Sequence, residues 1–346
     1  MKQVDGIRTM EISDSDGSLK IGGKIFFEQT GRDKYNELVK KELEFLKDKN
    51  TGFLKEEFAQ KRNCPICGGN SEKIIFIKDG FRFIKCGCGL VYVNPIVNEK
   101  KLNELYKDAP SNDAWVDVYL SKPQREMDRK SFTRIIKDIG SLSQNDSKRI
   151  LDVGCSVGLF LEVAKEFGWD GCGVDLNEKA VKYATETAKV NAKLSLLKDA
   201  GFEKGRFDAI TLLNILEHVP DPVKLIAECK DLLKDKGILF IETPNLNGLA
   251  PRLLHEKCST FGGRNHINYF SKETITNTLE KSGFRIIKFC TVISEIDTII
   301  NHVNYEDPYK GEVDEKNPLK MMRSQLAELI YKLDLGYRLN VFAVKI

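Results

Sequence analysis

The distribution of apolar and polar positions divides the chain into two unlike halves. Tyr35, Leu38, Val39, Leu43 and Leu46 recur at helical spacing, with Phe45 beside them, so the pattern predicts an amphipathic helix over about 33–49. Residues 1–30 have no firm period and are expected to be partly flexible. Two short strand-like runs, at 73–78 and 81–85, meet at Asp79-Gly80, a hairpin signal. Residues 98–140 read as helical, with a polar break at 109–113. From 149 onward short apolar runs alternate with amphipathic stretches. The pattern predicts strands at 149–153, 171–175, 192–197, 207–214, 237–242, 284–291 and 340–346. Helices are predicted at about 158–168, 177–190, 221–234, 271–283 and 316–333. Asp221 before Pro222, and Ser271, read as helix starts; Gly283 reads as a stop. Alternation of this kind predicts an α/β fold with a doubly wound, seven-stranded, mostly parallel sheet.

Composition narrows the function classes. Of 346 residues, 41% are hydrophobic and 30% charged, enough apolar material for a sizeable core. Lys and Arg exceed Asp and Glu by 54 to 51, so no global charge argues for nucleic acid or an anionic membrane as partner. The basic stretch at 124–137 reads first as a solvated helix face. No apolar run reaches the length of a spanning helix, and the N-terminus lacks a signal-peptide core, so a cytoplasmic location is expected.

Nine cysteines are many for such a chain. Cys64, Cys67, Cys86 and Cys88 lie within 25 residues, as a C-x-x-C and a C-x-C flanking the hairpin. Zn²⁺ takes four thiolates in a tetrahedron, and Gly68 after the second cysteine permits the positive φ such a turn uses. The arrangement predicts a zinc ribbon with a closed, structural site, with reduced free thiols as the alternative. The short C-x-C leaves open whether all four reach one ion. Cys155, Cys172 and Cys290 sit in apolar contexts and read as core residues.

The stretch 150–160 is a strand, a glycine-containing turn and a helix start, carrying Asp152, Gly154, Ser156 and Gly158. The next strand ends on Asp175, 21 residues past Gly154, where a carboxylate can accept ribose hydroxyls. A nicotinamide dehydrogenase would share much of this. The glycine spacing differs, however, and Asp152 would repel a pyrophosphate. The same carboxylate suits a cationic, phosphate-free nucleoside such as S-adenosylmethionine, unless it merely caps the turn.

Five segments in order resemble the class I S-adenosylmethionine-dependent methyltransferases: 151–160, 173–175, 207–210, 214–222 and 242–245. The resemblance covers about 148–346. It is nearest to the branch with an N-terminal zinc-ribbon-like element, matched at Cys64-Pro65-Ile66-Cys67-Gly68, at 88–95 and at 266–271. The resemblance implies that Asp152, Gly154, Ser156 and Gly158 line the methionine end of the cofactor. Asp175 would hold the ribose, Leu176 the adenine face and Asp199 its edge, with Asn214 facing the cofactor. Methyl transfer to a hydroxyl also needs a base, and the chain has only four histidines. His218, His266 and His255 are candidates, with a structural role for His218 as the alternative.

The implied organisation is an N-terminal extension at 1–61, the ribbon at 62–97, a helical linker or lid at 98–147 and the Rossmann-like domain at 148–346. Insertions at 243–270 and 293–338 would shape the acceptor site. The resulting expectation is S-adenosylmethionine-dependent O-methylation of a small molecule: a sugar, a natural product, or a lipid- or quinone-like hydroxyl. C- or N-methylation of a sugar or related metabolite, or ribbon-guided RNA methylation, is the alternative. No nucleic-acid partner and no membrane span are expected, and oligomeric state is left open.

Overall fold

A computed structural model of the protein describes residues 23–145, 147–314 and 316–346; the expectation for residues 1–22 lies outside the described residues. Seven strands form the central sheet: β1 (Arg149–Val153), β2 (Asp170–Asp175), β3 (Asn191–Leu194), β4 (Phe207–Leu213), β5 (Leu233–Pro244), β6 (Phe284–Val292) and β7 (Arg338–Lys345). Their order is β6-β7-β5-β4-β1-β2-β3. β1 to β5 pair in parallel, while β7 inserts antiparallel between β5 and β6. The sheet is therefore doubly wound and mostly parallel, with its order reversing between β1 and β4. The crevice above that reversal is where open α/β sheets bind ligands.

Local chemistry accounts for most of these elements. The buried faces of β1 and β4, with Ile150, Leu151, Ala209, Ile210 and Leu212 all fully enclosed, are the continuous apolar runs that a two-sided sheet requires. Helices α1 (Leu159–Glu166), α2 (Glu178–Glu186), α3 (Pro222–Leu232) and α4 (Lys272–Lys281) follow strands β1, β2 and β4 and precede β6. Asp221 accepts the Lys224 N–H and Ser271 forms a capping box with Thr274, so both predicted starts hold. Replacing such a cap by alanine costs about 1 kcal/mol.

Several boundaries differ from the sequence reading. Residues 23–30, read as part of an aperiodic terminus, form a helix (Gly23–Thr30). The polar break at 109–113 is a single non-helical residue, Ala109, because Pro110 starts a new helix (Pro110–Leu120) at its first turn, where a missing N–H is harmless. The helix read at 316–333 is two pieces, Pro318–Met321 and Arg323–Lys332, with Met322 between them. Cys290 is only partly buried, unlike Cys155 and Cys172.

The hairpin Ile74–Lys78 and Phe81–Lys85 turns through Asp79 and Gly80, both at positive φ, the geometry that matches strand twist. Its sheet continues through Val91–Val93 to Asn268–Tyr269, a two-residue strand from the insertion after β5. The cysteine-bearing hairpin and the Rossmann-like core thus share one sheet, and Phe83, Phe261 and Tyr269 pack together beneath it.

Candidate functional site

At the end of β1 the chain turns sharply. The N–H groups of Gly154 and Cys155 both donate to the Val174 carbonyl, at 2.8 and 3.0 Å. Gly154 has φ of +78°, and a Cβ there would lie 2.1 Å from Ile215 Cδ1. Gly158 has φ of +79°, and a Cβ would meet Val190 Cγ2 at 2.6 Å. Both positions therefore demand glycine. Ser156 stands between them at φ +46°, a left-handed conformation that a non-glycine residue adopts at a cost. Its N–H donates to Asp175 Oδ2 at 2.8 Å, and the Asn177 N–H donates to Asp175 Oδ1 at 2.9 Å. The carboxylate at the end of β2 is thereby fixed beside the glycine turn.

Asp152 is the register partner of Thr211 across β1 and β4, and its Oδ1 accepts the Thr211 hydroxyl at 2.6 Å. It is 1% exposed. Burial pushes its carboxyl up to about 7, the Thr211 hydrogen bond opposing the shift and the nearby Asp175 adding to it. Burial raises Asp175 as well. Two acids at one glycine turn, neither paired with a side-chain cation among the described residues, make a site that favours a positively charged ligand. Leu176, next along, is half exposed, and Asp199 is exposed on a short turn after β3.

Asn214, at φ +55°, directly follows β4; its side-chain amide donates to Glu242 Oε1 at 3.1 Å. Three residues on, Glu217 is 1% exposed. Its Oε2 accepts the Thr243 hydroxyl at 2.9 Å, while its Oε1 has no hydrogen-bond partner among the described residues. Burial raises it to about 7. His218 Nε2 lies 4.0 Å from that free oxygen. His218 Nδ1 is 3.0 Å from the Asn265 carbonyl, and His266 Nδ1 is 2.8 Å from the Thr260 carbonyl. A carbonyl only accepts, so in both rings Nδ1 carries the proton and Nε2 presents a lone pair. The two rings meet edge to face with centroids 4.7 Å apart. Burial lowers His218 to about 3 and His266 to about 4, so both are neutral at pH 7. His255 sits elsewhere in character, exposed on the turn His255–Lys257. The structure thus brings together two of the three predicted histidines.

Three features of this edge were not read from the sequence. Glu217 lies within the segment 214–222, and the insertion covers it, the Ile267 and Asn268 N–H groups donating to its carbonyl. Arg338 Nη1 donates to Glu242 Oε1 at 2.6 Å, joining β7 to β5. Near them Asp128 accepts from Gln124 at 2.8 Å, and Gln124 accepts from Arg32 at 2.7 Å. Arg32 also lies over the Trp115 ring at 4.9 Å. Helices from the N-terminal region therefore bring charge to the same edge, a placement that no local pattern announces. Asp208, within the segment 207–210, is structural: it accepts the Arg149 N–H and Lys234 Nζ, each at 2.7 Å, at the start of β1 and β4.

The four clustered cysteines converge. Cys64 and Cys88 Sγ are 3.6 Å apart, Cys67 and Cys86 Sγ 3.5 Å, and all four lie within 4.8 Å of one another. A tetrahedral zinc with Zn–S near 2.3 Å separates its sulfurs by about 3.8 Å, so the donor set and spacing fit. Gly68 has the positive φ, +71°, expected of it.

Residues 124–288 match the family described as methyltransferase domain. A ubiquinone biosynthesis O-methyltransferase from Thiobacillus denitrificans is 41% identical over 106 residues, covering 29% of this chain and 46% of that protein. Another, from Xanthomonas oryzae pv. oryzae, is 39% identical over 149 residues, covering 41% and 61%. The chain thus spans about half the length of the curated relatives it matches. Among solved structures, magnesium protoporphyrin IX methyltransferase from Synechocystis aligns at 15% identity, covering 72% of this chain and 100% of that one, with a TM-score of 0.49. The family match over residues 124–288 thus falls on a chain whose sheet order is that of a Rossmann-like methyltransferase fold.

Proposed function

We propose that the protein transfers a methyl group from S-adenosylmethionine to a hydroxyl of a small, polar acceptor. The observation that carries the reading is one sheet edge holding both a buried, uncompensated Asp152 at a two-glycine turn and a pair of neutral histidines with free Nε2 atoms. The turn suits a cationic nucleoside, and the histidines suit proton removal from an alcohol or phenol. When bound, S-adenosylmethionine supplies the methyl group and departs as the thioether.

In this reading Asp152, Gly154, Ser156 and Gly158 surround the methionine end. Asp175, pre-set by two backbone N–H groups, accepts the ribose hydroxyls with its remaining lone pairs. Leu176 covers the adenine, Asp199 lies at its edge, and Asn214 closes the side toward the acceptor. His218 Nε2 takes the acceptor proton, and Glu217 offsets the imidazolium that forms 4.0 Å away. His266 packs against His218 and fixes its ring plane. His255, exposed on its turn, takes no part in the step.

The charged groups Arg338, Glu242, Asp128 and Arg32 near the edge favour a hydrophilic acceptor such as a sugar or a polar natural product. The similarity to ubiquinone biosynthesis O-methyltransferases supports oxygen as the methylated atom. The four ribbon thiolates would hold a structural Zn²⁺ with a closed coordination shell, outside the reaction.

The test is transfer of labelled methyl from S-adenosylmethionine to a panel of hydroxylated sugars, phenols and quinols. The reading expects product from at least one hydroxyl acceptor, and loss of product by about 10²- to 10⁴-fold in His218→Ala with cofactor affinity unchanged. Calorimetry showing no S-adenosylmethionine binding by the wild-type protein would overturn it.

A further inference from the structure

Arg62 lies just before the first cysteine knuckle, far in sequence from the site. Among the described residues its guanidinium has no acidic partner. Instead, Nε donates to the Val93 carbonyl at 3.1 Å and Nη1 to the Pro220 carbonyl at 3.2 Å. Nη2 donates to the Ile267 carbonyl at 2.6 Å and to Asn268 Oδ1 at 2.8 Å. Four hydrogen bonds thus join three segments: the ribbon strand Val91–Val93, the loop after β4 that carries Glu217 and His218, and the insertion that carries His266.

Asn268 extends the clamp. Its amide donates to the Leu216 carbonyl at 3.0 Å and the Val219 carbonyl at 2.8 Å, on either side of Glu217-His218. The N–H groups of Ile267 and Asn268 both donate to the Glu217 carbonyl, at 2.7 and 3.1 Å. Val93 N–H donates to the Ile267 carbonyl at 2.9 Å, and Arg62 N–H to Asn94 Oδ1 at 3.0 Å. Asn268 therefore holds the backbone on both flanks of His218, and Arg62, from the ribbon end of the chain, holds Asn268, the Pro220 carbonyl and the residue after His266.

We infer that Arg62 is a positioning residue for methyl transfer, and that the ribbon's role is to hold the His218–His266 pair in register through it. This rests on the proposed reaction. A planar fork reaches four acceptors at once, and a charge-assisted donor makes each bond stronger than a neutral one. Lysine can reach one or two of them but cannot bridge all three segments. Removing the guanidinium takes a charged donor from the buried Asn268 Oδ1 and from the Val93 and Ile267 carbonyls, and frees the two histidine loops to move relative to each other. The glycine turn and Asp175 lie across the sheet reversal and are not touched by Arg62, so cofactor affinity should not follow.

The experiment uses the full chain with Arg62→Met and Arg62→Lys. Imidazole nitrogen NMR reads the histidines directly, because there are only four to assign. The expected result is altered His218 and His266 signals in Arg62→Met, with His255 and His302 unchanged and S-adenosylmethionine affinity within about twofold of wild type. Turnover should fall about 100-fold, the effect of misplacing a catalytic group by about 1 Å, with Arg62→Lys recovering part of it. Unchanged His218 and His266 signals in a folded Arg62→Met overturn the inference, as does full turnover. If Arg62→Met does not fold, Arg62→Lys decides by the same signals. If the wild type transfers no methyl group, the reaction reading fails, and the NMR result still judges the clamp.

Discussion

Replacing Asp152 by asparagine keeps the shape and the Thr211 contact but removes the charge. At 1% exposure the wild-type carboxyl titrates near 7 in the free protein. A cationic cofactor needs it ionised, so binding at lower pH first requires losing that proton. With a value of about 7, roughly half is ionised at pH 7 and about 3% at pH 5.5, which weakens apparent affinity about fifteenfold across that range. Both pH values lie below the titration of an α-amino group, so the ligand's ammonium stays charged. Asp152→Asn should lose this dependence and, at pH 7, about 1.5–3 kcal/mol of charge-assisted binding, or roughly 10- to 150-fold in Kd. Asp175, also raised by burial, keeps its own slope in both proteins, so the difference between the two curves isolates Asp152. Isothermal calorimetry with S-adenosylmethionine at pH 5.5, 6, 6.5 and 7 measures both effects. An Asp152→Asn protein with wild-type affinity and an unchanged pH slope would refute the cationic-site argument.

Glu217 has a folded-state value of about 7 against an ordinary 4.5, so its stability contribution is full below 4.5 and is lost as pH rises through 7. Urea unfolding from pH 5 to 8 should show Glu217→Gln escaping a loss of up to about 3 kcal/mol that the wild type suffers. The same carboxylate supports the imidazolium of His218, so turnover should rise with pH toward 7 in the wild type. Glu217→Gln should flatten that rise and lower the plateau, as read from initial rates at saturating cofactor. Gly154→Ala should abolish cofactor binding by equilibrium dialysis while the protein stays folded, because the new Cβ would meet Ile215 at 2.1 Å inside the turn. Elemental analysis should find one zinc per chain, and Cys67→Ser should lose most of it; retention of a full equivalent would remove the four-thiolate site.

The alternation of strands and helices after 149 was legible because each element is long enough to show its own period and its caps are local. The glycine turn, Asp152 and Asp175 were legible for a related reason. Backbone geometry at a tight turn and a carboxylate at a strand end leave marks in the residues themselves. The ribbon's cysteines and its Asp79-Gly80 turn belong to the same class.

What the sequence left open depends on contacts between distant segments. Two-residue strands such as Asn268–Tyr269 carry no readable period, so the fusion of ribbon and core in one sheet could be seen only in three dimensions. Residues 109–113 are polar enough to predict a break, whereas Pro110 starts a helix there because its missing N–H is harmless in a first turn. Nothing within the segment 266–271 announces that Asn268 braces the loop holding Glu217 and His218. Charge separation across hundreds of residues decided the rest: Arg32, Asp128, Glu242 and Arg338 meet near one edge although no local rule relates them. By itself the sequence determined where the glycine turn and the carboxylates of Asp152 and Asp175 fall, because turn geometry and strand ends are local properties. Tertiary structure decided which histidines share a site and what holds them there. Burial, ring contact and the reach of Arg62 are properties of packing, and packing is not written in any single stretch of the chain.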